Sequence, residues 1–328
     1  MILVVGGAGY IGSHCVKELV KERSVIVLDN LSTGHFWAID EKAIFIEGDL
    51  RDEKVVEKIF LSYKIDAVMH FAANSLVSES VNNPIKYYEN NVAGTLNLLK
   101  QMVKHNINNF IFSSTAAVYG IPKENVITEE SFTNPINPYG KSKLMIEEML
   151  RDFQSAYGLN YVVFRYFNAA GAHSSKEIGE DHEPETHLIP LILQHLLGKR
   201  EKIKVFGTDY DTLDGTCIRD YIHVTDIAIA HILGLDALLY KRIDNNIYNL
   251  GNGHGYSVKD IIDMCERVTG KKATIEYESR RIGDPARLIA SSKKIREQLG
   301  WETEYNLNKI IETAWEWHIN KNLNKILK

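Results

Sequence analysis

The segment NPYGKSK, residues 137–143, sets a tyrosine and a lysine four positions apart. On a helix that spacing puts Tyr139 and Lys143 on one face. An ammonium beside a phenol favours the phenolate and brings the tyrosine pKa toward neutrality. Such a tyrosine is a general base, a role worth about 10²–10⁴ in rate. A Tyr-x-x-x-Lys pair also occurs wherever an amphipathic helix carries a snorkelling lysine, so its company decides its meaning. Its company is a buried-looking run, NFIFSST, that ends on the hydroxyl of Thr115. At the other end of the reading frame, VVGGAGYIGSH holds Gly6-x-x-Gly9-x-x-Gly12 directly after an apolar run. Glycines there permit a tight turn and close backbone approach, and a helix N-terminus that follows can hold a pyrophosphate.

Asp29 closes the next apolar run, SVIVLDN. A carboxylate at that point accepts hydrogen bonds from the adenine ribose and repels a 2′-phosphate, so the expected cofactor is NAD rather than NADP. Asp49 and Leu50, ending AIFIEGDL, are placed to flank the adenine, and Phe71, Ala72 and Ala73, ending DAVMHFAA, to lie beside the phosphates. The pattern therefore predicts a hydride-transfer cofactor at one end and a proton-transfer group at the other, with the positive nicotinamide ring of NAD+ joining Lys143 in lowering the Tyr139 pKa.

Positioning these residues requires a sheet whose strands end together. The first half alternates short continuous apolar runs (ILVV, SVIVLDN, AIFIEGDL, DAVMHFAA, NFIFSST, YVVFRYFN) with helix-length segments. Continuous apolar strands separated by helices are parallel strands buried on both faces, the mark of a doubly wound α/β sheet. We expect an NAD-binding Rossmann domain over residues 1–168 and a smaller α+β lobe over 169–328, with some segments returning to the main sheet. In the second part ETHLIPLILQHLLGKR and VTDIAIAHILGLDALL read as helices and KVFGTDYDTLDGTCIRDYIHV as turn-rich. YNLGNGHGYSVKDIIDMCERV reads as strand, Gly-rich loop and capped helix.

The totals exclude several classes. A chain of 328 residues with 45% hydrophobic and 25% charged residues has ample length for a core. A net charge of −5 gives no reason to expect nucleic acid or an anionic membrane as partner. The three cysteines, Cys15, Cys217 and Cys265, are widely spaced, which fits a reducing compartment rather than a disulfide framework. No run has membrane-spanning length and no signal-peptide pattern opens the chain, so a cytoplasmic protein is expected. The twelve histidines show no metal-ligand spacing, and no metal is expected; His70, within AVMHFAA, reads as a core residue.

Taken together, GGAGYIGSH, YYENNVAGTLNLL, SSTAAVYG, NPYGKSK, RYFNAAGAH, GTCIRDYIHVTDIA and RRIGDPA make the chain resemble the extended short-chain dehydrogenase/reductases over nearly its whole length. Within them it is similar to the branch that epimerises nucleotide sugars at C4. The resemblance implies bound NAD, UDP-glucose and UDP-galactose as substrates, and a homodimer paired through the YYENNVAGTLNLLKQMVKH helix. It implies that Thr115 bonds the sugar O4 and Tyr139, that Tyr139 is the base, and that Lys143 holds the nicotinamide ribose. It also places Tyr10, Ile11, Asn30, Asn90, Ser113 and Phe167 against the cofactor. For the substrate it implies Asn168, His187, Leu188, Phe206, Arg219, Tyr221, Arg281 and Asp284. Arg219 and Arg281 are suited to the diphosphate, because guanidinium pairs bidentately with phosphate oxygens. Val5 stands where the family usually has Thr, and His187 where many members have Asn.

After Thr115 come Ala116 and Ala117. Relatives that eliminate water from the 4-keto sugar carry an Asp-Glu pair there. Two alanines cannot move a proton, so the 4-keto sugar can only take its hydride back, and the site reads as an epimerase. Three alternatives stay open: a UDP-N-acetylhexosamine or UDP-hexuronate epimerase, a non-catalytic NAD(H)-sensing protein, and a net dehydrogenase. Leu288 is the expected gate beside the hexose.

Overall fold

The structure is a computed structural model that describes residues 1–243, 246–281 and 283–326, with side chains described as far as residue 321. Each apolar run of the first half becomes a strand: β1 (Ile2–Val5), β2 (Val25–Asp29), β3 (Ile44–Glu47), β4 (Ala67–His70), β5 (Asn109–Thr115) and β6 (Asn160–Tyr166). The strands that follow are β7 (Asn168–Ala170), β8 (Ile203–Phe206), β9 (Ile218–His223), β10 (Asn246–Leu250), β11 (Gly255–Ser257), β12 (Ile275–Glu278) and β13 (Arg287–Leu288). Seven of them form one parallel sheet in the order β10-β6-β5-β4-β1-β2-β3. The order reverses between β1 and β4, and a crevice opens there at the carboxyl ends of the strands. This is the doubly wound Rossmann-type sheet that the alternating pattern predicts.

Both faces of the sheet are dry. Leu3, Val5, Ile26 and Phe110 meet the Glu53–Ser62, Gly94–Lys104 and Pro138–Tyr157 helices on one face. Ile2, Val4, Val27 and Phe164 meet the Tyr10–Leu19 and Val224–Leu239 helices on the other. The second of these helices and β10 both come from the second half of the chain, so the main sheet is completed by late sequence.

The remaining strands build a smaller lobe. β9 pairs with β7, β11 and β13, and β8 pairs with β12. The turn-rich reading of residues 204–224 missed β9. Its interior carries Arg219, Asp220 and His223, all buried, so it lacks the apolar run by which strands are recognised. Asp220 explains why a carboxylate belongs inside a strand. It accepts from the amides of Asn252 (2.7 Å), Gly253 (3.0 Å) and Ala290 (3.1 Å), tying the lobe to the loop that leaves β10. Burial pushes its pKa up to about 6, and the three amides work against that rise. His70 is buried in the core, with its Nε2 2.8 Å from the Thr95 hydroxyl.

The helix expected over YYENNVAGTLNLLKQMVKH is not continuous. Helix Pro84–Tyr87 passes through a π-helical turn, Tyr88–Ala93, into helix Gly94–Lys104. The wider turn brings Asn91 to where its side-chain amide donates to the Asn74 carbonyl and to Ser142, each at 3.0 Å.

The Pro138–Tyr157 helix is fixed from within. Glu147 is fully buried and faces Arg165 of β6, itself 2% exposed. Arg165 Nε donates to Glu147 Oε1 at 3.1 Å and Oε2 at 3.2 Å, and the Ser114 hydroxyl donates to Oε1 at 2.5 Å. Replacing Glu147 with Ala strands the guanidinium, and unfolding in urea should show a loss of about 3–5 kcal/mol. The double variant Glu147→Leu/Arg165→Met should be more stable than that single variant, since no lone buried charge remains.

Candidate active site

At the cofactor end the β1 turn packs directly on the end of β4. Gly6 has φ +83°, and a Cβ there would lie 2.4 Å from the Ala72 amide nitrogen. A Cβ on Gly12 would lie 2.1 Å from the Gly6 carbonyl oxygen. Gly9 differs: it is the N-cap of the Tyr10–Leu19 helix, and an added Cβ would touch only the Gly6 oxygen, at 3.5 Å. The first turn of the helix is thus left open to a ligand. Asp29 accepts from the amides of Ala8 and Leu31, both at 2.9 Å, and burial raises its pKa. Asn30 donates to Asp49 at 2.9 Å, and Arg51 holds the Asp49 carboxyl well below the usual carboxylate range.

At the other end, Asn137 caps the helix that carries the tyrosine, accepting from the Gly140 amide at 2.9 Å, with Pro138 in the first turn. A Cβ on Gly140 would lie 2.7 Å from the Ala117 carbonyl oxygen, so the helix start sits hard against the loop after β5. That contact brings Tyr139 within hydrogen-bonding reach of Thr115. Thr115 itself accepts from the Ala117 amide at 3.1 Å. Lys143 donates to the Ser113 carbonyl at 2.8 Å and lies over the Phe112 ring.

Lys143 does not by itself bring the Tyr139 pKa down. Burial raises the Tyr139 pKa, and the Thr115 hydroxyl only partly opposes it. Burial also lowers Lys143 to about 7, which thins the charge expected to act on the phenol.

One cavity of about 420 Å³ joins the two ends. Gly6, Gly9, Tyr10, Ile11, Gly12, Asp29, Asn30, Asp49 and Leu50 line its cofactor end, with Phe71, Ala72, Ala73 and Asn90. Thr115, Ala116, Ala117, Tyr139, Lys143, Phe167 and Asn168 line the rest, with His187, Arg219 and Leu288. Six expected residues do not reach the wall. Ser113 contributes its carbonyl to Lys143, and its hydroxyl is spent on Tyr166. Tyr221 is packed into the core of the lobe, where Leu188 also packs. The Arg281 guanidinium lies 4.0 Å from the centre of the Phe206 ring, and neither residue lines the cavity. Asp284 is ion-paired with Arg219, so Arg219 alone of that group reaches the wall.

The wall also holds Asn74, Ser75, Tyr166, Glu180 and His182, which the sequence reading did not single out. Asn74 and Tyr166 adjoin expected residues, and that adjacency was the available signal. Glu180 and His182 belong to GEDHEPETH, where a Glu-x-His-x-x-Glu-x-His spacing went unread. The structure departs here from the expectation of no metal: Glu180, His182, Glu185 and His187 bring four ligand-capable atoms within 4.8 Å of one another.

Residues 2–251 match the model of the NAD dependent epimerase/dehydratase family. The chain is 54% identical to the UDP-glucose 4-epimerase of Halalkalibacterium halodurans, over 97% of this chain and 95% of that one. It superposes on a crystal structure of a UDP-glucose 4-epimerase with TM-score 0.96 and 56% identity, covering 98% of each chain. The Bifidobacterium longum UDP-glucose 4-epimerase, solved with NAD+ and UDP, gives TM-score 0.91 at 41% identity, over 98% of this chain and 99% of that one.

Replacing Gly12 with Ala forces its Cβ onto the Gly6 oxygen and should displace the β1 turn. We expect the purified variant to carry at most a tenth of the tightly bound nucleotide of the parent, measured by chromatography of the heat-released nucleotide.

Proposed function

We propose that this chain, which belongs to the NAD dependent epimerase/dehydratase family, interconverts UDP-glucose and UDP-galactose by transient oxidation at C4. The observation that carries the reading is the meeting of Thr115, Tyr139 and Lys143 at one end of the cavity, beside Ala116 and Ala117. The residues present fit NAD: an open helix N-terminus at Gly9 for the pyrophosphate and the Asp29 carboxylate for the adenine ribose. When bound, NAD takes hydride from C4 of the hexose and gives it back to the opposite face.

Tyr139 takes the O4 proton and later returns it. Thr115 holds O4 and the tyrosine in line, so the proton moves along a preset hydrogen bond. Lys143, anchored on the Ser113 carbonyl, orients the nicotinamide ribose. Arg219 and His187 hold the diphosphate while the 4-keto sugar turns about it. Ala116 and Ala117 give the keto sugar no acid or base for elimination.

Leu288 stands as the gate at the hexose end. The homodimer expected from the sequence draws support from Val81, Ile85, Leu96 and Met145. These are exposed apolar residues on neighbouring helices of one face. Among the described residues no helix is long and apolar enough to cross a membrane, and we place the enzyme in the cytoplasm.

The purified chain, given UDP-galactose and no added cofactor, should approach a UDP-glucose/UDP-galactose equilibrium, followed by NMR of the anomeric protons. Tyr139→Phe should retain its nucleotide and lose about 10²–10⁴ in kcat. No conversion, even with NAD supplied, would overturn the reading. In a separate competition between UDP-galactose and UDP-N-acetylgalactosamine, Leu288→Gly should raise relative turnover of the N-acetyl sugar by roughly 10-fold or more, within the range one pocket change allows.

A further inference from the structure

We propose that Glu180, His182, Glu185 and His187 form a binding site for one divalent cation of the zinc class, in the wall of the cavity. The inference goes beyond the epimerase reading and does not depend on it.

The four residues lie within one short loop leading into the Leu188–Leu196 helix. The backbone of that loop is held from outside. Trp317 Nε1 donates to the Glu180 carbonyl at 3.3 Å, and His35 Nε2 is 2.9 Å from the Asp181 carbonyl. The amides of Thr186 and His187 donate to Glu185 Oε1 at 2.8 and 2.9 Å. These contacts turn two carboxylates and two imidazoles toward a common point. His187 Nδ1 lies 2.7 Å from Glu180 Oε1 and 3.3 Å from Glu185 Oε1. His182 Nδ1 lies 3.3 Å from Glu180 Oε1 and 3.9 Å from Glu185 Oε2.

Four ligands about 2.1 Å from a tetrahedral zinc stand about 3.4 Å from one another. The observed separations bracket that edge length, so small side-chain rotations suffice to admit an ion. Both carboxylates are buried, at 5% and 9% exposure, and His187 already pairs with both; a bound ion would take the place of imidazole protons between them. The Nδ1 atom of His182, a side chain 26% exposed, is buried and makes no hydrogen bond of good geometry, with Glu180 Oε1 3.3 Å away. It faces the carboxylates with a nitrogen that a metal would use. Two imidazole nitrogens and two carboxylate oxygens are a donor set suited to zinc.

A cation here would cross-link the loop that forms one side of the cavity. Ligation through Nδ1 leaves the proton of His187 on Nε2. The residue expected to meet the substrate diphosphate would then be a fixed donor rather than a ring free to change tautomer.

The test uses the full chain as isolated, stripped of metal with a chelator that is then removed. Zn2+ is titrated against a chromophoric competitor, and Co2+ is added to a second sample for its visible spectrum. We expect one Zn2+ per chain and the d–d absorption of four-coordinate Co2+. His182→Ala should weaken Zn2+ binding ~100-fold or more and abolish the cobalt spectrum. Glu185→Gln, which preserves shape, should also weaken it and keeps the test valid if His182→Ala misfolds. Circular dichroism and nucleotide content check both variants. Absence of stoichiometric binding would overturn the proposal and leave the cluster as an ion-pair network. Stoichiometric binding unchanged by both substitutions would overturn it as well.

Discussion

The placement of the site depends on a buried ion pair that touches no ligand. Glu147 lies one helical turn beyond Lys143 on the helix that begins at Pro138, and it locks onto Arg165 of β6 and Ser114 of β5. Charges taken out of water cost several kcal/mol each, and only good geometry with further hydrogen bonds offsets that. Here the geometry is supplied: Arg165 also donates to the Tyr119 hydroxyl at 3.0 Å, and Tyr119 to Asn249 at 2.6 Å. The pair therefore specifies register more than it adds stability. A slide of the helix by one residue would strand both charges, and with them would move Tyr139 and Lys143. Gly140 against Ala117 sets the other coordinate, depth, since no side chain fits between helix and loop.

The cofactor end reaches a similar result with absent side chains in place of buried charges. Gly6 lets the first turn close onto Ala72, and Gly12 lets the helix start beneath that turn. Asp29 then works on both sides: it holds the loop through the Ala8 and Leu31 amides while lining the cavity. The lobe is attached by the same logic, through the Asp220 carboxylate and three amides from two segments distant in sequence. Loops that would otherwise move are thus pinned to strand ends.

This division explains what could be read in advance. Strands β1 to β6 were legible because a strand buried on both faces must be a continuous apolar run. The Gly-rich turn, Asp29 and the Tyr139/Lys143 pair were legible because their geometry is local, fixed by one turn or one helix. β9 was not, because its Arg219, Asp220 and His223 serve partners that only the folded lobe supplies. The π-helical turn at Tyr88–Ala93 was hidden because helix periodicity does not reveal one inserted residue. Arg281 looked as suited to phosphate as Arg219 did. Only Arg219 of the two lines the cavity, while Arg281 lies over the Phe206 ring, a contact not visible in a motif. The GEDHEPETH loop carried its signal locally, in the Glu-x-His-x-x-Glu-x-His spacing, while the contacts of Trp317 and His35 to its backbone come from distant parts of the chain.

The protonation states of the catalytic pair carry a mechanistic consequence. Burial raises Tyr139 and brings Lys143 down to about 7, so the protein's own environment favours a neutral phenol beside a weakly charged lysine. Tyr139 as a ready phenolate would then need a further positive charge, which the oxidised nicotinamide ring would supply when NAD is bound. Once hydride has left the sugar that charge is gone, and burial again favours the protonated phenol. In the proposed mechanism this biases Tyr139 to take the O4 proton as hydride departs and to give it back as hydride returns. Proton transfer follows the redox state of the ring because the site holds so little fixed charge next to the tyrosine.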